Sequence, residues 1–172
     1  MTDWEAVVRQ YASIVQRTVY RLVGNHADAW DCVQETFLDA VKIDRLEGVH
    51  NWPGLLRHLA TTRAIDLLRT RSRQRGRHNT EVDPAEAISR EPNPSGHAEA
   101  SELADRLLAA VSRLPRRQAQ VFCLTYFEQM TSEELAQRLG INPTAVRMLL
   151  CRARGRLRRF LEPLDATPER DD

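Results

Sequence analysis

TSEELAQRLGINPTAVRMLLCRARGRLRR, residues Thr131 to Arg159, carries two helices and the turn between them in its own punctuation. Thr131-Ser132-Glu133-Glu134 is a capping box: the Thr131 hydroxyl accepts from an early helix N–H while Glu134 reaches back to the cap. Leu135, Ala136 and Leu139 line one face, Gly140 supplies the left-handed position that ends the helix, and Ile141 packs beneath the turn. Asn142 caps a second helix and Pro143 takes its first position, where a missing N–H costs nothing. Val146, Leu149, Leu150, Ala153, Leu157 and Phe160 give that helix its buried stripe. Ala136, Gly140 and Val146 are small enough for two helices to cross closely over a short turn. The outer face carries Arg147, Arg152, Arg154, Arg156, Arg158 and Arg159 and no acid. A basic amphipathic helix alone suits a solvated face, a membrane surface or an acidic partner equally well. The capped helix and glycine turn directly before it turn the reading toward the DNA major groove.

Outward from this unit, the apolar pattern keeps the helical period. Trp4, Val7, Val8, Tyr11, Ile14, Val15, Val19 and Leu22 mark a first helix that Gly24-Asn25 ends. Ala29, Val33, Phe37, Ala40 and Val41 mark a second. Asn51-Trp52-Pro53 starts a third, which dissolves into the arginine run from Arg69 to Arg77. Helical pattern resumes at Leu103, Leu107, Leu108 and Val111, breaks at Leu114-Pro115, and restarts through Val121, Phe122 and Tyr126. No alternating run suggests a strand. The expectation is an all-α chain of two small helical domains, residues 1–75 and 98–162, each with a core too small for more than marginal stability alone. Residues 76–97, rich in Pro, Asn, Ser and Glu, form an acidic linker between them, and residues 163–172 an acidic tail.

A formal net charge of +1 conceals a strong segregation of charge. From Gly54 to Arg77 seven arginines face one acid, Asp66, and from Arg147 to Phe160 six arginines face none. Between His78 and Ala110 seven acids outnumber two arginines. Two cationic blocks separated by an acidic stretch fit a polyanion gripped at two places. Of the 25 basic residues only Lys42 is not arginine, and the planar guanidinium suits phosphates and guanine edges. Near the first block stand Trp52, His58, Thr61, Thr62, Arg63 and Asp66, a set able to stack on or hydrogen-bond to unpaired bases. Trp52 itself reads better as a core anchor at a helix start. Arg71, Arg73, Arg75 and Arg77, on a fraying tail without fixed geometry, suit phosphate contact rather than base readout.

Cys32, Cys123 and Cys151 are an odd, widely spaced set with no zinc-ligand pattern, and read as buried thiols in a reducing cytosol. No secretory signal and no apolar run near 18 residues is present, which points to a cytoplasmic chain without membrane insertion. No cofactor, metal or catalytic residue is expected: neither clustered ligands, a phosphate-cradling glycine loop nor a nucleophile–base pair stands out.

Asp28-Ala29-Trp30-Asp31-Cys32-Val33-Gln34-Glu35-Thr36-Phe37-Leu38 resembles the D-A-x-D-x-V-Q-E-T-F-L signature of bacterial sigma factors, in the extracytoplasmic-function (ECF) group of the sigma-70 family. The run from Leu59 to Arg69 is similar to that family's promoter-melting segment. Leu114-Pro115-Arg116-Arg117-Gln118, then Tyr126-Phe127-Glu128, then the helix-turn-helix, resemble its C-terminal domain. The likeness covers both helical domains and leaves out only linker and tail.

That resemblance implies a promoter-specificity subunit that binds core RNA polymerase through its β′ and β subunits, engages promoter DNA at two elements and helps separate the strands. Asp31, Gln34 and Glu35 would face the coiled coil of β′. Thr61, Thr62, Arg63, Asp66 and Arg69 lie in the part that would open and read the minus-10 element, with Arg71 and Arg73 binding DNA there through phosphates. Thr144, Ala145, Arg147, Met148, Cys151 and Arg152 would read the minus-35 element, with Arg116, Arg117 and Arg154 holding phosphates. An anti-sigma protein is a usual partner in this group. The chain departs from the family where Leu55 stands for a frequent tryptophan and Thr62 for a frequent asparagine. Met148-Leu149-Leu150-Cys151 replaces a more polar run, leaving fewer groups for base readout, each worth about 1–3 kcal/mol when bidentate.

Rival readings explain less. A stand-alone helix-turn-helix regulator binding an operator as a dimer leaves the first basic block and the Gln34-Glu35 face idle. A nuclease needs clustered acids for metal, and none coincides with a basic block. An interaction module for acidic proteins needs no helix-turn-helix.

Overall fold

The computed structural model describes residues 2–77 and 98–162, which form seven helices and no strand. They are α1 (Trp4–Val23), α2 (His26–Glu47), α3 (Trp52–Arg77), α4 (Ala98–Arg113), α5 (Arg116–Tyr126), α6 (Ser132–Leu139) and α7 (Pro143–Leu161). The linker and tail expected from composition fall, but for Arg77 and Gly76, outside the described residues.

Local chemistry sets the helix ends. Asp3 accepts from the Ala6 N–H at 3.0 Å, and α1 closes on Gly24, whose φ of 78° lets its N–H reach the Tyr20 carbonyl. The next residue, Asn25, already caps α2 by accepting from the Asp28 N–H at 3.0 Å. The Asn51 side chain caps α3 through the Gly54 N–H at 2.9 Å. A Cβ at Gly54 would stand 2.9 Å from the Asn51 amide nitrogen, so a larger residue there would make the Asn51 side chain shift. Trp52, the first residue of α3, meets Trp4 edge to face at 5.1 Å and packs against the core, the anchor role expected of it.

Contrary to the expectation of a dissolving end, α3 stays helical through Arg77. Arg71 is held at the corner between α1 and α2, paired with the Asp28 carboxylate and 3.5 Å from the Val23 carbonyl. An arginine run reads as fraying only while its partners are unknown.

The two helical units are not two separate cores. Val15, Val19 and Leu22 of α1, Val33 of α2, and Leu56, Ala60, Ala64 and Ile65 of α3 join Val111, Leu114, Ala119, Cys123 and Ala153 in one buried cluster. A smaller cluster of Val121, Leu124, Met130, Leu135, Ala136 and Val146 holds the helix-turn-helix onto α5. The link between the units is α3, which packs against α1 and α2 and also against α4, α5 and α6. Its apolar residues are spread around the helix rather than confined to a stripe, as burial on several sides demands.

Where α3 meets the second unit, it encloses the Nδ1 of half-buried His58, which finds no hydrogen-bond partner. Burial, then the nearby Arg138 and Arg116 guanidiniums, push its pKa down to about 4. A base with a depressed folded pKa stabilises the fold above its unfolded pKa near 6.5, and that contribution declines as pH falls from there toward 4. We therefore expect the chain to lose about 2 kcal/mol of stability between pH 7 and pH 5 from this residue. Urea unfolding at the two pH values checks it: His58→Gln should flatten the difference, and an unchanged pH dependence would remove His58 as its source.

Candidate nucleic-acid interface

The helix-turn-helix forms as its residues dictate. Thr131 Oγ1 accepts from the Glu134 N–H at 3.2 Å, and Glu134 returns the bond by accepting from the Thr131 N–H at 2.8 Å. The Thr131 backbone N–H bond, followed by the hydroxyl contact, holds the Glu134 carboxyl below its ordinary range. Gly140 adopts φ 64°, ψ 36°, and the Ile141 N–H reaches back to the Ala136 carbonyl at 3.1 Å. Asn142 Oδ1 accepts from the Ala145 N–H at 2.7 Å and starts α7.

Buried Val146, Ala153 and Leu157 turn the rest of α7 outward. Thr144, Arg147, Met148, Cys151, Arg152 and Arg154 are exposed along it, and Ala145 is half-buried near its start. Arg156, Arg158 and Arg159 extend the exposed cationic face to the helix end. Arg117, at the start of α5, is also exposed. Cys151 departs from the expectation of three buried thiols: only Cys32 and Cys123 are enclosed. Burial, then the Glu35 and Asp31 carboxylates, push the Cys32 thiol up to about 11; burial pushes Cys123 up as well.

The first cationic block is built differently. Thr61 is fully buried and offers no atom to a ligand in this arrangement. Thr62 Oγ1 donates to the His58 carbonyl at 2.8 Å and accepts from Gln120 Nε2 at 3.0 Å. Arg63 clasps Asp39 on α2, with Nε 2.8 Å from Oδ2, and lies 3.2 Å from Glu35. The Asp39 hydrogen bond raises the Arg63 guanidinium above its ordinary value. Against the cost of burial, bonds from Arg63 and Lys42 hold the Asp39 carboxyl low. Asp66 receives the Arg116 fork at 3.0 and 2.6 Å, a bond that raises Arg116 in turn. Arg69 donates to the Leu114 carbonyl at 3.2 Å. Arg73 is exposed. The seven arginines counted in sequence therefore overstate the charge this block presents, because several already hold the fold together.

A third surface lies on α2. Asp31, Gln34 and Glu35 are exposed together on consecutive turns. Between and beside them stand Trp30, 56% exposed, and Leu38, 60% exposed, at spacings of four that share a face with Gln34. Sequence reading passed over these two apolar residues. Their signal was available: neither falls on the stripe of Ala29, Val33 and Ala40 that enters the core. Also missed were Gln120, Glu128, Arg21 and Arg57, whose partners lie across the two units.

Among the described residues no group of three or more His, Cys, Asp or Glu could hold a metal ion, and no helix is long and apolar enough to cross a membrane.

Comparison with known proteins adds an independent line. The sigma-70 region 2 family profile matches residues 7–74, and that of sigma-70 region 4 matches residues 104–157. The ECF RNA polymerase sigma factor SigE of Mycolicibacterium smegmatis is 33% identical over 164 residues, covering 94% of this chain and 62% of that protein. The RNA polymerase sigma-E factor of Streptomyces avermitilis is 30% identical over 171 residues, covering 95% and 87%. The chain thus spans about three fifths of the first relative and nearly the whole of the second. It spans only 33% of the probable sigma factor RfaY of Xanthomonas campestris and 48% of SigG of Mycobacterium tuberculosis. In fold it is similar to the sigma factor RpoE solved with the anti-sigma factor NepR from Bartonella quintana, with TM-score 0.58, 20% identity and coverage of 94% and 98%. It is similar also to CnrH solved with the cytosolic domain of CnrY, with TM-score 0.55, 19% identity and coverage of 92% and 86%.

The geometry of α7 separates two kinds of arginine. Arg147, 3.5 Å from the Thr144 hydroxyl in the first turns, sits where a recognition helix meets base edges, and Arg158 sits in its last turn. On duplex DNA, Arg147→Ala should change sequence preference. Arg158→Ala should instead weaken all duplexes alike and lower the salt slope by about 0.9 for each phosphate no longer neutralised. Anisotropy titrations across a salt series distinguish them, and identical effects would dissolve the distinction.

Proposed function

The chain belongs to the sigma-70 family, in its ECF group, and on that premise we propose that it is a promoter-specificity subunit of RNA polymerase. Residues 1–75 act as the core-binding and minus-10 unit and residues 98–162 as the minus-35 unit, with 76–97 as the linker and 163–172 as a tail. The reading rests on one observation above the rest: a single chain carries two outward surfaces of different chemistry, on α2 and α7, and between them a half-buried polar set on α3. The face of α2 is acidic and apolar, α3 carries hydroxyls, an acid and arginines, and α7 is a capped cationic helix.

Each surface suits one task. Asp31, Gln34 and Glu35 beside Trp30 and Leu38 match a basic helical hairpin, as the β′ coiled coil would offer: apolar contact supplies affinity and the acids supply register. Thr62, Arg63, Asp66, Arg69, Arg71 and Arg73 line the part of α3 that would take the minus-10 strand, with Thr61 supporting it from within. Thr144, Ala145, Arg147, Met148, Cys151, Arg152 and Arg154 serve the minus-35 duplex, joined by Arg116 and Arg117 at phosphates. Two modest DNA contacts on one chain gain from effective concentration once polymerase sets their spacing. No step of this work needs catalysis from the chain, and it would act in the cytoplasm, where core polymerase is. RpoE is solved with the anti-sigma factor NepR, which supports an anti-sigma partner here too. A stand-alone operator-binding dimer leaves the α2 face without a task.

Run-off transcription with purified core polymerase on fragments of the source genome should give new promoter-dependent transcripts when the chain is added; none on any fragment would sink the proposal. For docking, Asp31→Arg with Gln34→Ala reverses the α2 face yet spares the Glu35–Arg63 pair. Retention on core polymerase should fall by about tenfold or more, a loss of roughly 1.4 kcal/mol. Undiminished retention would reject α2 as the docking face.

A further inference from the structure

Helices α1 and α2 fold back on one another about Gly24 and Asn25, and a groove of about 400 Å³ opens between them. That volume is within the range of small-molecule sites, about 300–1,000 Å³. Its floor is Ala29 and Val33, both buried, and the short Ala29 side chain leaves room above it. Neither α3 nor α7 contributes to the lining, so the groove is separate from both proposed DNA surfaces.

Aromatic rings and hydrogen-bond donors share the walls. Tyr20 and His26, nearest the turn, stand with ring centroids 5.0 Å apart and planes tilted by 40°. Trp30, 56% exposed, adds an indole one turn further along α2. These rings offer a flat ligand faces to stack on. Along α1, Ser13, Gln16 and Arg17 are exposed close together and supply a hydroxyl, an amide and a guanidinium. Arg9 pairs with Glu5, Arg21 with Glu128 and Arg71 with Asp28. Arg17, by contrast, makes no hydrogen bond or ion pair among the described residues. None of the residues lining the groove is a carboxylate. The charge therefore favours an anion, and three neighbouring donors suit the three oxygens of a phosphate better than the two of a carboxylate.

We propose that the α1–α2 groove binds a free nucleoside monophosphate, its base stacked on Trp30 and Tyr20 and its phosphate held by Arg17 with Ser13 and Gln16. Trp30 is also one of the two apolar residues on the α2 face assigned above to core polymerase. A nucleotide covering the indole competes with the β′ hairpin, so the ligand weakens the chain's hold on polymerase. That competition rests on the sigma-factor reading; the site itself does not.

Calorimetric titration of the full-length free chain with adenosine monophosphate tests the site. Saturable binding should be at least about tenfold tighter than that of adenosine or inorganic phosphate, each of which keeps only part of the contacts. No saturation up to about 5 mM overturns the proposal. Arg17→Ala and Trp30→Ala should each weaken the nucleotide by about tenfold, through the lost charge-assisted bond and the lost stacking. Trp30→Phe, which keeps a ring, should recover most of the affinity. Both side chains are exposed, so the variants keep the fold. Nucleotide binding indifferent to both alanine substitutions rejects the groove as its site. A short labelled single strand that needs Arg17 while the mononucleotide does not bind makes the occupant a strand and overturns the free nucleotide. Retention on core polymerase, measured with and without saturating nucleotide, tests the competition. Wild type should be retained about fivefold less in its presence, and Arg17→Ala equally in both. Unchanged wild-type retention overturns the competition alone. A chain not retained even without nucleotide counts against the sigma-factor reading and leaves the calorimetric result standing.

Discussion

Helix α3 must satisfy neighbours from both units at once. Leu56, Ala60, Ala64 and Ile65 keep no exposed surface because α1 and α2 cover one side of the helix and α4, α5 and α6 another. Two alanines one turn apart let neighbouring helices come close, while leucine and isoleucine fill the space beyond them. The other elements take their places from this demand. Helices α1 and α2 are long enough to sheath its first turns, the α4–α5 corner lays Leu114 against it, and the helix-turn-helix hangs from α5 on a second cluster. A chain of this length with two lean cores gains from fusing them, since the fraction of surface buried rises with the size of the core.

Much of the helical architecture was readable from punctuation. Thr131, Gly140, Asn142 and Pro143 impose their backbone geometry locally, so their roles need no knowledge of distant residues. Gly24 with Asn25, and Asn51 before α3, were legible for the same reason. The fusion of the units was not, because Leu114 and Ala119 look like ordinary core positions whichever side buries them. Nor could the arginine count reveal its own use. Arg63, Arg71 and Arg116 read as cations awaiting a polyanion until Asp39, Asp28 and Asp66 are seen beside them.

The two basic blocks therefore differ in kind. On α7 a stripe of Val146, Ala153 and Leu157 anchors the helix and frees the arginines, so composition translates directly into surface charge. On α3 the same residue type is divided between holding helices together and facing outward. Formal charge measures the potential of the first block poorly and of the second well, because an ion pair presents little net field beyond its own length.

That contrast bears on how such a chain diverges over generations. The outward positions of α7, among them Arg147, Met148, Cys151 and Arg152, contribute nothing to either buried cluster, so substitutions there carry little folding penalty. Thr61, Thr62 and Asp66 are embedded in the fold or tied across it, and each change there is filtered by stability first. Innovation is easy at one end of the molecule and constrained at the other. A lineage descended from this chain can vary the outward face of α7 quickly while inheriting the polar set on α3 almost unaltered.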